Sequence, residues 1–441
     1  MWRNKQNAIL IPVLILCVII LAGIKVYDQL QEKGGISEVK AGFMDDERLT
    51  KRQIINPGSS ATSSSQDKKA ESDNQGNAVI EPSLKEKGLS NNLESNGEKN
   101  EKSQDNLLVI KAVGDIMLGR GVEYHLDNQG RDSSYPFQHV AEVLSTADVV
   151  FGNLECPMTE SSKSLDPSGK YILKCRPDVV ESLKYAGFNI LNLANNHIMD
   201  YYEKGLFDTM ETLEKRGILY CGAGKDIREA REPAVMNVDG LRVYVLGYTD
   251  MAEYFYKGDP MIKYEAEEQK SGVAPRRLEY IKEDIESIQE NADIIIVSLH
   301  WGVEDSFEVT KEQREFAYQL IDIGTDIILG HHPHKFQGVE IYKGKPIVYS
   351  MGNFIFDQND PLKQESFILD MSFAGNELVS LELLPVRTID KTHVIMPVGQ
   401  DAMEMLNREL ELCGKLGSKC AIINDKIVFN IKTNPDKEAE S

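Results

Sequence analysis

From residue 107 onward the sequence predicts an α/β fold of the α+β type, layered and built on mixed sheets. Short runs of Val, Ile and Leu alternate with amphipathic helical segments, and two-residue turn signals join some of the runs directly. Helical crossovers require parallel neighbours, whereas tight turns require antiparallel ones. Both kinds of pairing are therefore expected within the same sheets.

Taken in order, the strand-like runs are Leu107 to Val113, Ala147 to Phe151, Phe188 to Leu193, Asp293 to Leu299 and Asp326 to Leu329. Each is apolar, short and bounded by turn residues, the pattern of a strand buried on both faces. Between them, Pro136 to Ser145, Asp178 to Ala186, Glu203 to Arg216, Arg276 to Glu290 and Lys311 to Ile323 read as helices. The fourth puts Leu278, Ile281, Ile285 and Ile288 on one stripe, at the spacing that packs a helix on a sheet. Hairpins are predicted at Asp239-Gly240, Lys343-Gly344 and Gly375-Asn376. After residue 386 a helix over Ala402 to Leu416 and a strand over Ala421 to Ile431 are expected as a C-terminal appendage, residues 387–441.

The first quarter of the chain is different. Ala8 to Ile24 is an uncharged, mostly apolar stretch of 17 residues, at the lower limit for a membrane-spanning helix. Arg3 and Lys5 precede it, so the positive-inside rule leaves residues 1–7 as a cytoplasmic tail and places the rest of the chain outside the cell membrane. No clean small-x-small cleavage site follows the apolar stretch, and Leu16 before Cys17 fits a lipoprotein site poorly, so an uncleaved single-pass anchor is the reading. Residues 25–106 are rich in Ser, Asn, Lys, Glu, Asp, Gln and Gly, too polar to bury a core, and are expected to form a disordered linker.

Net charge is −21 and the isoelectric point is near 4.9, which argues against a nucleic-acid surface. An anionic ligand would need local positive charge, for which a metal ion, Arg120, Lys174 and Arg176 are the candidates. Cysteine usage is sparse: no C-x-x-C pair occurs, Cys156 reads as a buried free thiol, and Cys413 with Cys420 would pair in an extracellular domain.

Polar clusters follow the five apolar runs: Gly114-Asp115, Gly152-Asn153-Leu154-Glu155, Asn195-Asn196-His197, His300-Trp301-Gly302 and Gly330-His331-His332-Pro333-His334. Residues just beyond strand carboxyl ends converge in α/β sheets even when far apart in sequence. Oxygen and imidazole donors of this kind hold Zn, Mn or Fe, in a site of one or two divalent metal ions. His125, His139 and His393 follow no such run and read as structural or surface histidines.

Gly114 to Arg120, Gly152 to Pro157, Leu193 to Asp200, Gly222 to Gly224, His300 to Gly302, Gly330 to His334 and Tyr349 to Phe354, in that order, resemble the capsule-synthesis CapA family of poly-γ-glutamate biosynthesis. The resemblance covers about Leu107 to Val386 and implies a domain related to calcineurin-like metallophosphoesterases. It implies a four-layer α/β/β/α sandwich of two mixed sheets, preceded here by one transmembrane helix. By that resemblance Asp115, Asn153, Glu155, Asn196, His300, His332 and His334 are the metal-ligand positions. His197 and Asp115 take catalytic roles, with His197 as proton donor, while Arg120, Asn195 and His331 face a substrate. Met117 stands where the superfamily has a histidine, and Asn153 where it has a bridging aspartate. The function implied is a membrane-anchored extracellular component of capsule synthesis and export, beside membrane polymer-synthase subunits. The alternative is a metal-dependent hydrolase acting on a phosphoester or anionic polymer of the cell envelope.

Overall fold

The computed structural model describes residues 107–166, 171–253 and 263–431. The expected tail, anchor and linker lie outside the described residues, among which no helix is long and apolar enough to cross a membrane.

The first strands in chain order are β1 Leu108–Ile116, β2 Val149–Leu154, β3 Ile190–Asn192, β4 Leu219–Cys221, β5 Ala223–Gly224, β6 Ala234–Val238, β7 Leu241–Thr249, β8 Gly272–Val273 and β9 Ile294–His300. They are followed by β10 Ile327–His331, β11 Val339–Tyr342, β12 Lys345–Val348, β13 Asn353–Ile355, β14 Glu365–Ala374, β15 Glu377–Ile389, β16 His393–Ile395, β17 Cys420–Ile423 and β18 Lys426–Phe429. A ten-stranded sheet runs β17-β18-β15-β14-β1-β2-β3-β4, with β13 beside β1 and β16 beside β15. A six-stranded sheet runs β11-β12-β10-β9-β7-β6, and β5 with β8 makes a small third sheet. Strands β1 to β4 pair in parallel, as do β7, β9, β10 and β12, while the hairpins add antiparallel strands to both sheets. The sheets are mixed, as the alternation and turn signals require.

Strand periodicity explains the layers. Along β9, Ile294 and Ile296 join Ile110, Phe151, Val245 and Leu329 in a core between the sheets. Ile295, Val297 and Leu299 point the other way, against Ile281, Ile285 and Leu320 of helices Leu278–Ile288 and Lys311–Asp322. On the outer face of the large sheet, Ile116, Leu154 and Leu191 meet Leu206, Met210 and Leu213 of helix Tyr202–Lys215. Burying one such side chain contributes about 1.5–3 kcal/mol, so each central strand, apolar on both faces, is held from two sides.

Several local expectations shift. The segment Pro136 to Ser145 is helical only over Ala141–Leu144, because turn bonds such as Phe137 N–H to Ser134 O and Val140 N–H to Phe137 O occupy its first half. The strand expected over Ala421 to Ile431 is instead the hairpin β17–β18, turned by Asn424 and Asp425, both with positive φ. The segment expected as an appendage is woven into the core. β18 pairs with β15, and Met405, Leu406 and Leu412 of helix Gly399–Lys415 fill the core between the sheets. Gly114 lies within β1, where it lets the backbone of residues 351 and 352 approach. A Cβ there would sit 1.9 Å from Gly352 O.

Two glycine substitutions test this packing. A Cβ on Gly330 would lie 1.9 Å from the Tyr349 carbonyl oxygen, so Gly330→Ala is expected to lose about 1–3 kcal/mol or more in chemical denaturation. Gly414 sits exposed near the end of helix Gly399–Lys415 with nothing near its added methyl, so Gly414→Ala should gain about 0.4–1 kcal/mol. Equal effects from the two would contradict the close approach at Gly330.

Candidate metal centre

The parallel strands of both sheets deliver their carboxyl ends to one place. Asp115 is the penultimate residue of β1, Asn153 the penultimate residue of β2, and Glu155 follows β2 directly. His300 and His331 end β9 and β10, which pair in register at those residues. Contacts across the two sheets fix the convergence: Asn153 Nδ2 donates to Asp115 Oδ1 at 2.8 Å and lies 3.4 Å from His300 Nδ1. Asp115, Glu155, Asn153, His300 and His331 are fully buried.

Glu155 is the hub. Its Oε1 lies 4.0 Å from His197 Nε2, 4.0 Å from His300 Nε2 and 3.9 Å from His334 Nε2. Ligand atoms of Asp115, Glu155 and His334 all lie within 4.8 Å of one another. Neither Glu155 oxygen has a hydrogen-bond partner, nor has Asp115 Oδ2 or His332 Nδ1, although all are buried. Orphaned carboxylate oxygens beside unpaired imidazole nitrogens cost free energy unless a cation gathers them. The donor set fits a divalent ion that accepts oxygen and imidazole ligands.

Neighbouring amides orient the donors. His334 Nδ1 donates to Asn353 Oδ1 at 2.9 Å, which leaves the Nε2 lone pair turned toward Glu155. Asn353 is itself fixed by its Nδ2 bond to Lys363 O at 2.9 Å. His300 Nε2 donates to Asn196 Oδ1 at 2.8 Å, so these two atoms face the same space. His332 and His334 both adopt positive φ on either side of Pro333, an uncommon backbone for residues with side chains. That conformation brings both rings to the cleft, where His332 lies 4.8 Å from the His300 ring.

Asn153 holds ligands and is not placed to be one. The Asp115 carboxylate takes its amide hydrogens, and its oxygen accepts from Asn192 Nδ2 at 2.9 Å and Asn195 Nδ2 at 3.3 Å. Glu155 occupies the space instead. Asn195 also has a scaffold position, with Nδ2 on Leu154 O and Oδ1 accepting the backbone N–H groups of His197 and Ile198. His331 is sealed beside Asp115, with Nδ1 3.2 Å from Oδ1. Arg120 is ion-paired to Asp357 and stacked 5.8 Å over Phe356, one ring away from His334. Arg176 is bound by Glu123, Asp127 and Asp178, and Lys174 donates to Ser161 O. Three residues not singled out from the sequence prove central: Asn192, Asn353, and Asp200, whose Oδ2 accepts from His197 Nδ1 at 2.8 Å. Asp200 and Asn353 both lie inside stretches that carry the family resemblance, and that was their available signal.

Electrostatics divide the two carboxylates. Burial alone would raise the Asp115 carboxyl, but the imidazoles of His331 and His334 outweigh it and hold Asp115 well below its ordinary range. Burial, then the charge of Asp115, pushes Glu155 well above its ordinary value. Burial lowers His300, helped by His332, and brings His332 down to about 3. His334 is raised, since Asp115 overrides its burial.

The result is a buried carboxylate–histidine centre at the strand ends of a mixed α/β fold. The model for the family described as "Bacterial capsule synthesis protein PGA_cap" matches residues 109–358, and the chain belongs to that family. It is 36% identical over 284 residues to the "Capsule biosynthesis protein CapA" of Bacillus anthracis, across 63% of this chain and 67% of that relative. It is 32% identical over 328 residues to the "PGA biosynthesis protein CapA" of Bacillus subtilis (strain 168), across 74% and 83%. Among solved structures, a hypothetical protein from Thermus thermophilus aligns over 63% of this chain and 98% of its own, at 15% identity and a TM-score of 0.38.

Glu155 gives a pH test. Its folded-state carboxyl titrates above the ordinary 4.5, so the metal-free fold loses stability as pH rises from that value through the folded one. With a chelator present, Glu155→Gln should therefore melt higher than the parent at pH 7.5, and the difference should vanish near pH 4. A parallel fall in both proteins across that range would contradict the buried, destabilised carboxyl.

Proposed function

We propose that the chain is a membrane-anchored, extracellular component of poly-γ-glutamate capsule synthesis and export, working through a metal-holding cleft. Family membership supports the capsule role. The observation that carries the metal is the grouping of Asp115, Glu155 and His334 within 4.8 Å with unpartnered buried oxygens. Asp115, Glu155 and His334 would hold one ion, and Glu155, Asn196, His300 and His332 would hold a second only with the His300 Nε2–H bond to Asn196 given up. A metallophosphoesterase-like sandwich is the architecture this reading gives to the two sheets and their outer helices. Residues 8–24 serve as the anchor, 25–106 as a tether, and membrane polymer-synthase subunits as partners.

Charge is consistent with this role for the cation. At −21 the chain repels a polyglutamate, and Arg120 and Arg176 are already neutralised by acidic neighbours. A bound divalent ion supplies the local attraction, and it would also polarise a scissile group and activate water.

A second reading, hydrolysis of a cell-envelope phosphoester or of the polymer, is favoured by one feature. His197 is 17% exposed at its side chain, donates Nδ1–H to buried Asp200, and turns Nε2 toward the cleft. A buried carboxylate behind an imidazole fixes its tautomer and the direction of its other nitrogen, which suits proton transfer at a leaving group. Asp200 is anchored in turn by the Leu173 N–H at 2.7 Å.

Metal content of the full chain tests the shared premise. Asp115→Ala and His334→Ala should lose bound Mn²⁺ or Zn²⁺, and Asn353→Ala should weaken affinity by about 10–100-fold through the freed His334 ring. Unchanged metal content in all three would remove the metal from the account. To separate the readings, His197→Ala should retain metal yet lower any hydrolysis of a phosphodiester or polyglutamate by about 10²–10⁴-fold. If the parent hydrolyses neither, the hydrolase reading falls. Deleting residues 1–24 should abolish capsule formation in cells, and full capsule from that variant would remove the membrane role.

A further inference from the structure

A different chemistry sits directly behind Glu155. Cys156 and Cys175 are both fully buried, and their Sγ atoms are 3.5 Å apart. Backbone bonds hold the two segments side by side: Cys175 N–H donates to Pro157 O at 3.0 Å, and Thr159 N–H donates to Cys175 O at 2.9 Å. Met158 and Cys175 form an isolated parallel bridge. We infer that Cys156 and Cys175 are a disulfide-forming pair, oxidised as the chain folds, that ties the loop bearing Glu155 to residues 171–176.

The geometry allows the bond. Sulfur atoms in a disulfide lie about 2.05 Å apart, so these must close by roughly 1.5 Å, a distance that rotation about the Cα–Cβ bonds can supply. The backbone need not move far. What the cross-link would tie is the underside of the cleft. Leu173 N–H donates to Asp200, the residue that orients His197. Lys174 O packs so tightly on Gly119 that a Cβ there would lie 1.7 Å away. Residues 171–176 thus already touch the turn after β1, the loop after β2 and the His197 turn. A covalent tie at Cys156 would fix the main chain next to Glu155 against all three.

Timing follows from burial. Both thiols are fully buried, closed to an oxidant that has to reach their sulfur atoms. Oxidation therefore precedes closure of the core. The oxidant is a disulfide, either a small one such as oxidised glutathione or that of a dithiol oxidoreductase. One cysteine thiolate attacks it, giving a mixed disulfide and releasing one thiolate. The second cysteine thiolate attacks the cysteine sulfur of the mixed disulfide, releasing the other. Two cysteine thiols lose two protons and two electrons, and one disulfide becomes two thiols.

The test uses the full-length chain in detergent, unfolded and refolded with oxidised glutathione in one arm and with dithiothreitol in the other. After alkylation of remaining thiols and non-reducing digestion, the oxidised arm should yield one cross-linked peptide pair holding Cys156 and Cys175. Cys156→Ser should leave Cys175 alkylated, and the double serine variant, checked for native circular dichroism, shows that loss of the link is not loss of the fold. Complete alkylation of both cysteines after oxidative refolding, or linkage of either to Cys221, would overturn the pair. The effect on the cleft rests on the proposed metal centre and is read separately: Mn²⁺ should leave the cross-linked protein several-fold more slowly under chelator. Cross-linking with an unchanged loss rate overturns the tie on Glu155 and leaves the metal reading standing. A chain that binds no Mn²⁺ in either arm counts against the metal reading, while the peptide mass still decides the pair.

Discussion

Two carboxylates buried within reach of one another are the constraint around which the rest of this structure is arranged. Asp115 and Glu155 come from neighbouring parallel strands of the large sheet, and neither side chain touches water. Like charges so close in an apolar interior cannot both ionise without compensation. The fold meets this in two ways. It surrounds Asp115 with imidazoles, and it holds Glu155 well above its ordinary value with Oε1 facing His197, His300 and His334. The centre is poorly satisfied by protein atoms alone, a condition typical of sites whose last component is an ion.

The amide of Asn153 makes the arrangement possible. Where a bridging aspartate would add a third negative charge, Asn153 offers hydrogens to Asp115 and an oxygen to Asn192 and Asn195. One neutral side chain therefore links β1, β2, β3 and the loop that carries Asn196 and His197. Two residues along, Glu155 leaves the end of β2 and turns Oε1 toward His197, His300 and His334.

Much of this was legible in the sequence. The five strand ends, the three hairpin turns and the long helices over residues 202–215, 311–322 and 399–415 follow from period and turn chemistry, which are local properties. Convergence of Asp115, Glu155, His300 and His334 followed from their common position at strand ends. What stayed hidden depends on contacts between distant residues. No pattern in the sequence tells that the Asn153 oxygen is taken by two other amides, or that Asn353 turns the His334 ring. Arg120 read as a free cation because its partner, Asp357, lies far along the chain. The terminal segment read as an appendage because it carries one helix signal and one strand signal, with nothing local to show what they pack against. The pairing of β18 with β15 is a tertiary fact.

That pairing bears on how the protein comes to exist. β1, near the start of the folded region, is completed by β14, and β14 by β15, which in turn needs β18 and the helix over Gly399–Lys415. The sheet that carries Asp115 is therefore closed by residues made last. A chain dominated by such distant pairings folds slowly, because loop-closure entropy is spent before the contacts return it. Until the final thirty or so residues of the described chain arrive, β15 is an open edge of the sheet that carries Asp115 and Glu155. A nascent or truncated chain would therefore present an open strand edge, the template on which another chain can pair.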